Sequence, residues 1–171
     1  GEVDMLEETY LKIISAKTAE LFAAATKVGA ILSDMKSKEK EALEFYGRNL
    51  GLTFQIADDT LDYNSELKLF GKKIGQDFYE GKITLPIILL FQRADDKEKE
   101  RLKEIFSKNV RSKDDLEYSL SLIKRYEIIK ACYQKAEHYI NLASNSLSVF
   151  SDSEEKNILE NLTSFSLTRS F

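Results

Sequence analysis

Apolar residues return at helical spacing from Glu7 to Leu32, with Ile14, Leu21, Ala25, Val28 and Leu32 on one stripe, which predicts a long helix. Lys17 and Thr18 interrupt that stripe. A second helix is predicted from Ser37, read as an N-cap, to about Tyr63, with Leu43, Tyr46, Leu50, Phe54, Ala57 and Leu61 as its apolar face. Between Asn64 and Thr84 the period fails, and Gly71, Gly75 and Gly81 mark a loop of about twenty residues, a length that compact domains keep for function or leave disordered. Pro86 then falls near the first turn of a helix from Leu85 to Arg93, where its missing N–H costs nothing. Further helices are predicted at Asp96 to Ser107, Lys113 to Arg125, Glu127 to Phe150 and Ser153 to Ser166. No repeat and no Pro-, Gly- or Ser-rich linker divides the chain, so residues 1–171 are expected to form a single domain.

Composition agrees with the periodicity. Seven glycines and one proline in 171 residues, with 32% charged side chains and abundant Leu, Ile, Ala, Lys and Glu, favour an all-α fold. The formal charge of -4 argues against a nucleic-acid partner, which would call for a basic stripe with interleaved aromatics. The basic stretch Lys97 to Lys108 is mixed with glutamates and reads as a solvated face. Cys132 is alone, which excludes an internal disulfide and points to a reducing, cytoplasmic setting. The longest apolar run, Leu85 to Phe91, is far below the roughly 20 residues of a transmembrane segment. His138, beside Tyr139 and Ile140, reads as structural, and Cys132 as a small buried hydrophobe.

The chemistry is concentrated in LTFQIADDTLDYN, Leu52 to Asn64. On a helix Gln55, Asp58, Asp59 and Asp62 fall within an arc of about 100°. Asp58 and Asp62 are like charges one turn apart, which costs roughly 0.2–0.5 kcal/mol even in solvent. They also sit at the helix C-terminus, where the macrodipole disfavours anions. No Lys or Arg occurs between Asn49 and Lys68 to offset them. Two carboxylates about 6 Å apart repel by roughly 3 kcal/mol at an effective dielectric near 20, and a bound cation reverses that sign. Carboxylates without His or Cys suit Mg²⁺, which keeps several waters and bridges protein carboxylates to phosphates. The segment that follows, FGKKIGQDFYEGK, carries Lys72, Lys73 and Lys82 as point charges for a phosphate.

FQIADDTLDY, GKKIGQD and EGKITLP, in this order and spacing, resemble the second aspartate-rich region of the trans-isoprenyl diphosphate synthases, and KTAELFAAATKVGAIL resembles the helix that precedes it. The likeness runs from Lys12 to Phe91 and continues more weakly to the C-terminus. It implies an antiparallel helical bundle of the isoprenoid synthase type around an apolar cavity, and Mg²⁺-dependent head-to-tail condensation of isopentenyl diphosphate with an allylic diphosphate. Carried over residue by residue, Asp58 is the leading metal ligand, Asp62 assists and Asp59 organises the shell. Lys17, Lys72 and Lys82 meet diphosphate. Gln55 lies beneath the reacting carbons, with the Lys17–Thr18 pair on the same cavity.

The family carries two aspartate-rich motifs in chains about twice this length, and this chain holds the second alone. Gly1-Glu2 resembles the GE near the middle of family members. The chain is therefore expected to be the C-terminal half of a synthase, an incomplete bundle that is inactive by itself and forms a homodimer or pairs with a missing N-terminal half. The alternative is a non-catalytic helical subunit that completes a heteromeric synthase.

Overall fold

The computed structural model describes residues 2–64 and 74–168, and every regular element among them is helical. In chain order these are α1 (Glu2–Ile14), a π-helical turn (Ser15–Ala19), α2 (Glu20–Leu32), α3 (Ser37–Leu61), α4 (Gln76–Glu80), α5 (Leu85–Arg93), α6 (Asp96–Ser107), α7 (Lys113–Arg125), α8 (Ile128–Ser146), a 3₁₀ turn (Leu147–Val149) and α9 (Glu154–Thr168). The all-α expectation holds, and six of the seven predicted helices both begin and end within a few residues of their expected bounds. Ser37 is not the N-cap of α3: the Lys36 backbone N–H is bonded by Glu39 at 2.8 Å, and the Ser37 hydroxyl donates instead to Glu41 at 3.2 Å.

The predicted loop contains α4, which periodicity could not reveal because the helix is a single turn between two glycines of positive φ, Gly75 at 82° and Gly81 at 75°. Gly71, Lys72 and Lys73 lie outside the described residues.

The chain gathers into two compact units that interleave along the sequence, one of Gly1–Tyr10 and Asp58–Tyr133, the other of Leu11–Ala57 and Gln134–Phe171. Helices α1, α3 and α8 each contribute residues to both. The first unit is built around α5, where Leu85, Pro86, Ile87, Ile88, Leu89 and Leu90 are all buried. A helix apolar on every side is a core helix, and Leu102, Ile105, Leu116 and Ile123 of α6 and α7 are buried in the same unit. The second unit buries Ala30, Leu43, Tyr46, Leu50, Ile140, Ala143 and Leu147 as one cluster.

The apolar stripe of the first helix is a correction. Ile14 is buried, but Leu21, Val28 and Leu32 are 72%, 52% and 82% exposed and Ala25 is exposed too. The buried positions after Ile14 are Ala19, Ala23 and Ala30. The π turn explains the difference. At its end the Glu20 N–H bonds the Ser15 carbonyl, five residues back, so one residue is added to the turn. Each added residue rotates everything beyond it by about 100°, so a stripe phased on Ile14 faces outward after Ala19. On α3, Leu43, Tyr46, Leu50 and Ala57 are buried as predicted, whereas Phe54 is 41% exposed and touches the Phe22 ring at 5.8 Å.

Capping fixes the later helices. Asp95 and Glu98 form a reciprocal capping box at α6, and Ser112 and Asp115 another at α7. The Tyr126 hydroxyl donates to Glu98 at 2.6 Å and Arg125 also pairs with it, which together hold the Glu98 carboxyl below its usual range. Lys108 at 2.6 Å does the same, first among several causes, for Asp115. Carboxyls whose pKa falls on folding contribute stability above their unfolded pKa and lose it as pH drops through the folded value. Stability is therefore expected to decline as pH falls through and below the ordinary carboxylate range. In denaturant titrations from neutral to acid pH, Glu98→Gln combined with Asp115→Asn flattens that decline, and an unchanged slope refutes the assignment.

Candidate diphosphate and metal site

The last turn of α3 holds three aspartates in three environments. Asp58 is exposed. Asp59 is 6% exposed, and one of its oxygens accepts a 2.7 Å hydrogen bond from the buried hydroxyl of Tyr10. Burial, and next the Asp59 charge, push the Tyr10 phenol far up, so it stays a proton donor to that carboxylate. The three aspartates therefore do not form one solvated face: at the edge of the 100° arc Asp59 turns into the core of its unit, where Tyr10 satisfies it.

Asp62 is half-buried and faces the start of α4. Its Oδ1 accepts the Gln76 N–H at 3.0 Å, its Oδ2 accepts the Asp77 N–H at 2.8 Å, and its backbone carbonyl accepts the Gly75 N–H at 2.8 Å. Burial raises the Asp62 carboxyl and the Asp77 charge adds to this, while the amides of Asp77, Gln76 and Gly75 pull the other way.

The segment so anchored presents Lys82. Its ammonium bridges Asp77 at 3.0 Å and Glu80 at 2.6 Å, which hold it protonated, the Glu80 bond contributing most. The side chain is 54% exposed, so these pairs are screened and weak and the lysine is able to exchange them for another anion. Lys72, the other lysine expected on this segment, lies outside the described residues.

Lys17, Thr18 and Gln55 belong to the second unit. Lys17 and Thr18 occupy the π turn, and the Thr18 hydroxyl donates to Gln55 Oε1 at 2.9 Å, which sets the orientation of the amide on α3. Single π turns inside α-helices recur at functional sites because they aim side chains that a regular helix would point elsewhere. The break at Lys17-Thr18 that sequence periodicity marked is the visible trace of this turn.

Among the described residues no three Asp, Glu, His or Cys side chains converge into a metal cage. The donor set still fits an oxygen-seeking divalent ion. Asp58 is an open carboxylate, Asp62 retains unused lone pairs beside it in sequence, and such an ion takes one or two protein carboxylates and fills its remaining positions with water and phosphate oxygens.

Sequence reasoning missed Tyr10, Asp77 and Glu80. Asp77 was within the quoted motif, and its position in the first turn of a helix after a glycine was a usable signal. Tyr10 carried none, because a partner 49 residues away in sequence is set by packing alone.

A family-wide sequence model described as polyprenyl synthetase matches residues 1–123. A short chain isoprenyl diphosphate synthase of Methanothermobacter thermautotrophicus is 37% identical over 169 residues, covering 98% of this chain and 51% of that protein. The crystal structure of a decaprenyl diphosphate synthase from Rhodobacter capsulatus superposes with a TM-score of 0.90 at 34% identity, over 96% of this chain and 51% of that one. A polyprenyl synthase from Caulobacter crescentus, solved with calcium and isoprenyl diphosphate, gives a TM-score of 0.86 at 38% identity over 95% and 49%. All-α architecture, the aspartate-bearing helix end and these likenesses agree: the chain belongs to the polyprenyl synthetase family. It spans about half the length of the relatives it matches.

Proposed function

We propose that this chain is the C-terminal half of a polyprenyl diphosphate synthase, a single all-α domain in a reducing cytoplasm, taking part in head-to-tail condensation of isopentenyl diphosphate with an allylic diphosphate. The observation that carries this reading is the closure of Asp62 on the Gln76 and Asp77 amides, which folds the lysine-bearing segment back onto the aspartate-bearing end of α3 within one unit. The Caulobacter relative's calcium and isoprenyl diphosphate support a divalent ion and a prenyl diphosphate as ligands, and magnesium is the ion we assign.

A bound divalent ion would supply charge stabilisation for a leaving diphosphate. Asp58 is its leading ligand, Asp62 assists, and Asp59 is fixed by Tyr10 so that the helix end keeps its shape. Lys17, Lys72 and Lys82 are the lysines we assign to diphosphate oxygens, where fixed positive charge stabilises the charge that develops on the leaving group. Gln55, whose amide Thr18 orients, is the residue we assign beneath the reacting carbons.

A single aspartate-rich motif holds one side of a diphosphate, so the isolated chain is expected to show no turnover with isopentenyl and farnesyl diphosphates. The outward Leu21, Val28, Ile31 and Leu32 on α2 support association, with a second copy or with a polypeptide corresponding to the other half of the relatives. Sedimentation is expected to give a species heavier than 19.6 kDa, and mixing with such a polypeptide to restore elongation. Normal turnover by the chain alone refutes the half-site reading. A chain that restores turnover even with Asp58→Ala is the non-catalytic subunit instead.

A further inference from the structure

Helix α4 is a single turn of five residues, too short to persist on its own hydrogen bonds, and it is flanked by glycines of positive φ. Its persistence therefore needs partners at both ends, and the first unit supplies one for each. At the N-terminus the Asp62 carboxylate takes the Gln76 and Asp77 amides, donors that a first turn cannot satisfy internally. At the C-terminus stands Arg111, a 9% exposed cation in the segment before α7. Its Nη2 donates to the Phe106 carbonyl at 2.8 Å and its Nη1 reaches the Tyr79 carbonyl at 3.5 Å. The guanidinium also stands 5.3 Å from the Phe106 ring, and that ring packs edge-on against Phe78 of α4 at 5.4 Å.

Gly81 lies flat against the guanidinium: a Cβ there would come 2.7 Å from Nη2 and 2.9 Å from Nη1. Among the described residues Arg111 bonds main-chain carbonyls and no carboxylate, and its buried Nε has no partner. A buried cation without a counter-ion is costly, and an apolar side chain would fill the same space without that cost. The charge is accounted for by the carbonyls it faces at two helix ends, Phe106 of α6 at 2.8 Å and Tyr79 of α4 at 3.5 Å, as Asp62 faces the amide end of α4.

We propose that Asp62 and Arg111 are positioning residues that clamp α4 at its two ends and so set where Lys82 stands. Lys82 follows the helix through two bonds, its N–H to the Asp77 carbonyl at 2.9 Å and its ammonium to the Asp77 carboxylate at 3.0 Å. That Lys82 meets a diphosphate rests on the function proposed above; the clamp does not.

The test is amide hydrogen exchange over residues 76–82 of the whole chain, with the rate of Lys82 acylation by an amine reagent as a second readout. Asp62→Asn and Arg111→Met are expected to speed exchange of the Gln76, Asp77, Gly81 and Lys82 amides at least tenfold and to speed Lys82 acylation, with α5 and α7 unchanged. Arg111→Lys, which keeps the charge and loses the planar fork, is expected to fall between; it carries the test with Asp62→Asn if Arg111→Met does not fold. Exchange within twofold of wild type over 76–82 in these variants overturns the clamp, as does equal acceleration through α5 and α7. Magnesium pyrophosphate that fails to protect Lys82 from acylation in the wild-type chain counts against the proposed function and leaves the clamp standing.

Discussion

Gly47→Ala combined with Gly51→Ala is expected to destabilise the chain by about 2–3 kcal/mol and to lower its melting temperature by about 5–10 °C. Both glycines lie one turn apart on α3, within the second unit. A Cβ at Gly47 would stand 2.5 Å from the Phe22 carbonyl oxygen and would also strike Thr26 Oγ1, whose hydroxyl donates to the Leu43 carbonyl at 2.6 Å. A Cβ at Gly51 would stand 2.7 Å from Ala19 Cα. Phe22 oxygen and Ala19 Cα are backbone atoms, so no rotamer change relieves the overlap and α2 and α3 must separate. Alanine returns about 0.5–1 kcal/mol per site as helix propensity, which the double overlap exceeds.

The same separation would pull the π turn from α3 and break the 2.9 Å bond between Thr18 and Gln55. Thermal and chemical melts check the first effect. A double variant that melts at or above the wild-type temperature refutes the close approach of the two helices.

Asp58→Ala is expected to weaken binding of magnesium pyrophosphate by about 100-fold, or about 2.7 kcal/mol, with no change in melting temperature. The side chain is exposed and its removal leaves nothing buried unsatisfied. Asp59→Ala, one residue on, is expected to behave in the opposite way. It takes the carboxylate from the buried Tyr10 hydroxyl, which costs stability of about 1–3 kcal/mol for a buried donor left without that partner. Calorimetric titration and melting of both variants separate the roles. Equal losses of affinity in Asp58→Ala and Asp59→Ala, with equal melting temperatures, refute the division between an open ligand and a buried anchor.

The division between these neighbouring aspartates shows why part of the site was legible and part was not. Like charges at the C-terminal end of a helix, with no cation nearby in sequence, are a local anomaly, and local anomalies can be read from sequence because their cost is local. Helical periodicity likewise located α3, α5, α6 and α7, because an amphipathic face repeats along the chain that carries it. The interruption at Lys17-Thr18 was visible for the same reason. Its consequence was not: a single π turn rotates every later residue, and the apolar stripe Leu21, Ala25, Val28 and Leu32 moves from the expected core to the outside.

The sequence by itself determined that the chain is helical, that its chemistry lies at the end of α3 and in the glycine-rich segment beyond, and which family it joins, because composition, period and motif spacing are properties of neighbours along the chain. Only the tertiary structure decided which aspartate is open, which is held by Tyr10, and which closes on α4. It also decided that beyond Ile14 the buried face of the first long helical segment is made by Ala19, Ala23 and Ala30 and not by Leu21, Val28 and Leu32. These outcomes depend on partners far apart in sequence, Tyr10 with Asp59, Ala19 with Gly51, Gly81 with Arg111. No local pattern encodes such pairs, because each is chosen by close packing between elements that meet only in the folded chain.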